Sequence, residues 1–319
     1  MNTDETLVDL RGLWIPTVTP FTADDRVDEP ALASLCERLL GDGARGLVAL
    51  GTTGEPAVLS AAERAVVVAV SGDVCCRMNR PLIVGAGGNS TRATIESVRA
   101  LAGLDAVVAT LVVVPYYNRP SPAGVVDHFR AVAAASPVPV VAYHVPYRTG
   151  RDLGPEHLVE LAHIPNVAGI KLAVGALDGD TLHLLREAPQ GFQVLAGDDA
   201  FIAPTILMGG AGALAASAHV CTPAFAALVA AALAGDVPTA RTLAQQLLPV
   251  VEAGFAEPSP AVWKGGLRDR GELATAALRP PMTEASAAAT ARLGLAVAAV
   301  EPSRGGRMSG WPTACSARS

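Results

Sequence analysis

The sequence predicts a (β/α)8 TIM barrel over residues 1–222, followed by a C-terminal helical extension over 223–300. Three observations predict it. Eight short apolar runs recur along the first two thirds of the 319 residues. Several are continuous rather than alternating, and helical stretches lie between them. A strand of a parallel sheet is buried on both faces and reads this way. Strand–helix alternation repeated eight times closes into a barrel, whereas a doubly wound sheet usually has fewer strands.

The runs fall at 13–18, 46–50, 82–84, 106–114, 138–143, 167–171, 193–196 and 211–215. Helices are expected between them, for example at 29–40, 61–73, 91–102 and 124–135. Past residue 222 no strand pattern returns. Residues 223–234, 237–253 and 284–300 read as helices, with Pro258, Pro260, Pro280 and Pro281 as breakers. The last stretch, 301–319, holds Gly, Pro, Ser and Arg without periodicity and is expected to be a disordered tail.

Composition narrows the function. A net charge of −6 and a pI near 5.5 argue against nucleic acid as the main partner, which needs a basic footprint. Half of the residues are hydrophobic but only 4% are aromatic, so Ala, Val and Leu must build the core. No apolar run approaches the roughly 20 residues that span a bilayer. The opening MNTDETLVDL is acidic and unlike a signal peptide, so a cytoplasmic location is expected. Five cysteines without a CxxC, and six histidines without an HxxxH pair, predict neither a disulfide framework nor a metal site. GAGG at 85–88 is not a full GxGxxG and reads as a tight strand-to-helix turn rather than a dinucleotide loop.

In a barrel, the active site lies at the C-terminal ends of the strands. The unusual residues of this chain collect there. Gly51-Thr52-Thr53-Gly54-Glu55 follows the second run, and Pro115-Tyr116-Tyr117-Asn118 the fourth. The fifth closes on Tyr143, followed by His144 and a loop carrying Arg148; the sixth ends on Lys171; Gly197-Asp198-Asp199 follows the seventh. A lysine held among apolar residues has its charged form disfavoured, and a neutral amine can attack a ketone to form a Schiff base. Tyr143, Tyr117 and Thr52 could relay protons. The GTTG loop offers amides and hydroxyls to a carboxylate, and Arg148 offers a fork to another.

Each residue also has a plain structural reading. Lys171 could be a surface lysine and GTTGE a helix start, with Thr as cap and Glu55 near the first turn. Tyr116-Tyr117 could be packing, Asp198-Asp199 a helix cap, and Arg148 a solvated charge. Their shared position at strand ends favours chemistry.

GTTGE, PYYNRP, YHVPYRTG, GIK and LAGDDA, in this order, resemble the dihydrodipicolinate synthase / N-acetylneuraminate lyase family across about residues 12–300. PYYNRP, the arginine of PYRTG and GDDA favour the synthase branch, and EPSPAVWKG resembles part of its helical extension. The resemblance implies that Lys171 forms an imine with pyruvate and that Tyr143 is the general acid/base. Thr52 and Tyr117 would complete a proton relay, with Tyr117 reaching in from a neighbouring subunit of a homotetramer. Thr53 would hold the pyruvate carboxylate, with Gly197 and Leu214 also binding substrate. Arg148 would bind L-aspartate 4-semialdehyde, and the product would lead to diaminopimelate and lysine. No cofactor is implied beyond the imine itself.

Family members often have Asn at the position of His144 and an acidic residue at that of Leu172. Inhibited relatives hold L-lysine with histidine and glutamate side chains; here Ala61, Arg64 and Ala93 stand instead, although Asn89 and Tyr116 remain, so weak or absent inhibition is expected. The alternatives are a class I aldolase for a sugar acid, such as N-acetylneuraminate or a 2-keto-3-deoxy acid, and a non-catalytic barrel that binds a keto acid. Arg148 argues against a polyol substrate.

Overall fold

The computed structural model describes residues 8–301. Eight parallel strands close a barrel in chain order: β1 (Gly12–Pro16), β2 (Gly46–Ala49), β3 (Leu82–Gly85), β4 (Val107–Val113), β5 (Val140–His144), β6 (Val167–Leu172), β7 (Gln193–Ala196) and β8 (Gly212–Leu214). β8 pairs back onto β1 through Trp14 and Leu214. Most strand residues are buried, which explains their unbroken apolar character in the sequence.

Side chains alternate between two layers. Inside the barrel stand Trp14, Val48, Ile83, Ala109, Leu111, Val141, Tyr143, Leu195 and Leu214. With few aromatics in the chain, Trp14 supplies much of the bulk; its indole donates to the Leu10 carbonyl at 2.7 Å. Gly46 makes room for it, because a Cβ there would meet the Trp14 ring at 2.5 Å. Outward-facing residues such as Val112, Val140, Ile170 and Leu172 pack under the helices.

Those helices are α1 (Glu29–Gly41), α2 (Ala61–Arg77), α3 (Thr91–Arg99), α4 (Pro122–Ala135), α5 (Pro146–Thr149), α6 (Pro155–Ala162), α7 (Gly179–Glu187), α8 (Ile202–Leu207) and α9 (Thr222–Leu233). Side-chain caps start most of the longer ones: Asp28, Ser60, Ser90, Ser121 and Asp178 each accept a backbone amide of the first turn. Ser60 and Glu63 form a reciprocal capping box.

α9 packs on β1 and β8 as the eighth barrel helix. We therefore place the end of the barrel at Leu233, rather than at 222 as periodicity alone implies. The extension is α10 (Val237–Gly254), α11 (Ala261–Asp269) and α12 (Ala287–Val300). Periodicity alone marks only the first and last of these, because prolines crowd the segment between them. Pro258 and Pro260 precede α11, with Pro260 at its cap, where the missing amide hydrogen is harmless. α12 starts three residues later than periodicity indicates, behind the Ser286 cap. The tail expected over 301–319 lies almost wholly outside the described residues.

Candidate active site

Register builds the centre of the site. Tyr143 on β5 pairs with Lys171 on β6, and Lys171 pairs with Leu195 on β7. Partners across a parallel ladder point to the same face, so the phenol and the amine both enter the barrel. Lys171 is 8% exposed, and its Nζ stands 4.3 Å from the Tyr143 ring centroid. It is thus not the snorkelling surface lysine of the plain reading. Burial pushes its amine down to about 8, Asp199 and Asp198 oppose that shift, and Arg148 reinforces it. Such an amine is neutral far more often at pH 7 than an ordinary lysine. Burial also pushes the Tyr143 phenol up to about 12, against the opposing influence of Arg148 and the Thr52 side chain. Tyr143 therefore holds its proton at neutral pH and is a hydrogen-bond donor.

The loop after β2 forms a single tight turn, Thr52–Gly54, with no side-chain cap. The Thr52 and Thr53 amides at its start find no acceptor among the described residues. Thr53 is buried, Thr52 is exposed, and both line the cavity. Two free amides with two hydroxyls suit an anion. Glu55 stands between this turn and a second short one, Pro56–Val58, but its side chain caps neither. It adopts a left-handed conformation (φ 55°) and is buried against Lys264 of α11, Oε1 to Nζ 2.6 Å.

Arg148 lies on α5, just past β5, and is exposed at the mouth of the cavity. Among the described residues it pairs with no carboxylate; its guanidinium carbon lies 5.8 Å from the centroid of the Tyr147 ring. Asp198 and Asp199 do not cap the helix that follows them. Asp198 Oδ2 accepts the Gly175 amide and Asp199 Oδ2 the Ser217 amide, each at 2.6 Å. Burial raises both carboxyls, Asp199 to about 6. Gly197 stands against the Lys171 stem, where a Cβ would meet Lys171 Cγ and Cε at 2.8 Å.

These groups surround a cavity of about 610 Å³, whose wall also includes Pro16, Leu111, Leu214 and Tyr147. Val251, Phe255, Glu257 and Pro258 of the extension cover one side. Lys171, Tyr143, Thr52, Thr53, Arg148, Gly197 and Leu214 are thus brought together. Tyr117 is not: it is 88% exposed and does not line this chain's cavity. His144 and Leu172 follow the inward pair on their strands and so face out. His144 Nε2 lies 3.1 Å from Asp152 Oδ1, and Leu172 packs in the outer layer. Asp199, which the sequence places just after β7, acts on the Lys171 charge; sequence reasoning missed Phe255 and Glu257 as cavity walls, and nothing local marks either. Among the described residues, no three His, Cys, Asp or Glu side chains gather to hold a metal, and no helix is long and apolar enough to cross a membrane.

Fold and site together define an enzyme class: a (β/α)8 barrel with a buried lysine amine, its charged form disfavoured, at the C-terminal end of the strands. The chain belongs to the dihydrodipicolinate synthetase family, whose profile matches residues 9–300. It is 41% identical over 258 residues to the 4-hydroxy-tetrahydrodipicolinate synthase of Neisseria meningitidis serogroup C, covering 80% of this chain and 87% of that protein. The synthase of Halorhodospira halophila is 40% identical over 298 residues, 90% of this chain and 96% of that one. The crystal structure of a chloride-inhibited dihydrodipicolinate synthase from Acinetobacter baumannii, complexed with pyruvate, aligns with a TM-score of 0.86 at 34% identity, over 91% of this chain and 98% of that one.

Proposed function

We propose that the protein condenses pyruvate with L-aspartate 4-semialdehyde to give 4-hydroxy-tetrahydrodipicolinate, through an imine at Lys171. The observation that carries this is the lowered Lys171 amine facing a protonated Tyr143. Pyruvate's carboxylate is held by the free amides of Thr52 and Thr53. The neutral amine adds to the ketone carbon, Tyr143 gives a proton to the departing hydroxyl, and water leaves. The Tyr143 phenolate so formed takes a methyl proton from the protonated imine to give an enamine, whose carbon attacks the aldehyde, and the phenol returns that proton to the new alkoxide. The amino group of the second substrate then displaces Lys171 and closes the ring, freeing the amine for another turnover.

Arg148 faces the mouth with no carboxylate partner among the described residues, which favours an acidic aldehyde over the polyol of a sugar-acid aldolase. An amine, a phenol and hydroxyls can carry each of these steps, so we assign no cofactor. We assign Tyr117 to a neighbouring subunit's relay in a homotetramer. A biosynthetic role and a net charge of −6 fit a cytoplasmic enzyme without nucleic-acid or membrane partners. Pyruvate with borohydride should add one reduced pyruvyl group at Lys171 and inactivate the enzyme. The chain has only two lysines, Lys171 and Lys264, so peptide mapping is decisive. Labelling at Lys264, or none, would overturn the mechanism and leave a keto-acid-binding barrel.

A further inference from the structure

Two lysines are buried in this chain, and only one faces the cavity. Lys264, 1% exposed, is built into the joint between the extension and the GTTG loop. Its Nζ donates to Glu55 Oε1 at 2.6 Å and to the Ala277 carbonyl at 2.8 Å, and lies 4.2 Å from the Phe21 ring centroid. The other Glu55 oxygen accepts the Arg279 amide at 3.4 Å. The Arg279 guanidinium covers the same ring at 4.5 Å and holds the Val58 carbonyl and Glu63 at the start of α2.

An apolar pair of similar volume often stabilises a fold as well as a buried ion pair does. What charges add is a fixed direction. Glu55 is a non-glycine residue in the left-handed region, a conformation that persists only where its surroundings hold it. Its amide closes the turn by donating to the Thr52 carbonyl at 3.2 Å. Thr19 Oγ1 fixes the next link by donating to the Gly54 carbonyl at 2.7 Å. Anchoring Glu55 therefore sets where the free amides of Thr52 and Thr53 point.

We propose that Glu55 and Lys264 are positioning residues for the pyruvate carboxylate, tying the binding turn to the C-terminal extension through one buried ion pair. This rests on the assignment of that turn to pyruvate. The test is Glu55→Gln combined with Lys264→Met, which removes both charges and leaves neither one unpaired. Folding is verified by circular dichroism, and Glu55→Asp, which keeps the charge but shortens the arm, serves as the second variant. Half-maximal borohydride trapping at Lys171 should need about tenfold more pyruvate in both variants, the loss of roughly one well-aimed charge-assisted contact. The maximal trapped fraction and the KM for the aldehyde should stay near wild type. Amide exchange of residues 52–55, measured without substrate, should quicken. Unchanged pyruvate saturation and unchanged exchange in a folded variant would overturn the proposal. If the wild type is not trapped at all, the pyruvate assignment fails by itself, and exchange still decides whether the pair holds the turn.

Discussion

Tyr143 and Lys171 are register partners on adjacent parallel strands, and the lysine nitrogen stands 4.3 Å from the tyrosine ring centroid. Both groups are shifted by the same cause, loss of water, and in ways that serve one reaction. Burial disfavours the ammonium of Lys171 and the phenolate of Tyr143. On the proposed mechanism, the amine would then be free to attack and the phenol would keep the proton that the departing hydroxyl needs.

Imine formation should accordingly rise with pH through about 8 and level above it, because the neutral amine reacts. Asp199 raises the Lys171 value, so Asp199→Asn should move the midpoint to lower pH; the amide oxygen can still accept the Ser217 amide. Rapid-quench mass analysis across pH 6–10 reads this directly, and a midpoint unmoved in Asp199→Asn would exclude the pairing. Stability gives an independent check. The folded value of Lys171 lies below the ordinary 10.5, so charging it opposes folding fully below pH 8, and that penalty fades as pH rises toward 10.5. Lys171→Met should therefore raise the melting temperature at pH 7 and raise it less at pH 10.

Gly197→Ala should damage the amine rather than the pocket. The new Cβ would lie 2.6 Å from the Leu172 carbonyl oxygen and 2.8 Å from two Lys171 carbons, closer than real Cβ contacts allow. We expect a folded protein whose trapping at Lys171 falls by at least about a hundredfold, since small displacements of a reacting group carry penalties of that order. Trapping at the wild-type rate would show that the stem has room to move aside.

Much of this was legible in the sequence. Continuous apolar strands such as 167–171 announce a parallel barrel, and the rule that chemistry sits at strand ends singles out Lys171, Tyr143 and the GTTG loop. Other features depend on contacts across long stretches of chain. Glu55 looks like part of a helix start until Lys264, 209 residues away, is seen beside it. α11 hides behind Pro258 and Pro260 because the pattern that breaks a helix interior is the one that opens a helix. The outward orientation of His144 and Leu172 follows from alternation once Tyr143 and Lys171 are set inward, so the sequence held that answer in the strand period itself.

Assembly can be tested at Tyr117. The side chain is 88% exposed, its backbone takes a left-handed φ of 70°, and its amide donates to the Thr149 carbonyl at 3.3 Å, which ties the loop to the end of α5. Sedimentation should show a homo-oligomer at assay concentrations, and Tyr117→Phe should lower kcat while leaving assembly intact. A monomer with full activity would refute the shared relay.

L-Lysine should inhibit weakly or not at all. Arg64 donates through Nε to the Pro56 carbonyl at 3.1 Å; if this chain held lysine where the resemblance places it, that guanidinium would repel the ligand's ammonium groups. Ala61 and Ala93 offer no polar side chain. Half-inhibition at sub-millimolar lysine would show that the binding groups come from elsewhere.

Arg148 should select the second substrate rather than drive the chemistry. It follows Pro146, whose ring fixes φ and stiffens the turn, and at the cavity mouth its guanidinium pairs with no carboxylate among the described residues. A guanidinium holds a carboxylate by two parallel hydrogen bonds, a geometry that lysine does not reproduce. Hydrogen bonds to charged groups contribute about 1.5–3 kcal/mol. Arg148→Ala should then lower kcat/KM for aspartate semialdehyde at least about tenfold, at roughly 1.4 kcal/mol per decade. Arg148→Lys should recover only part of the loss. Trapping of pyruvate at Lys171 should persist in both, because we assign that carboxylate to Thr52 and Thr53. Its pH midpoint should rise slightly in Arg148→Ala, since the lost positive charge had been lowering the amine. Loss of trapping in a folded Arg148→Ala protein would mean that the two carboxylate sites are exchanged. Unaltered aldehyde kinetics would remove the acidic aldehyde and bring the sugar-acid aldolase forward.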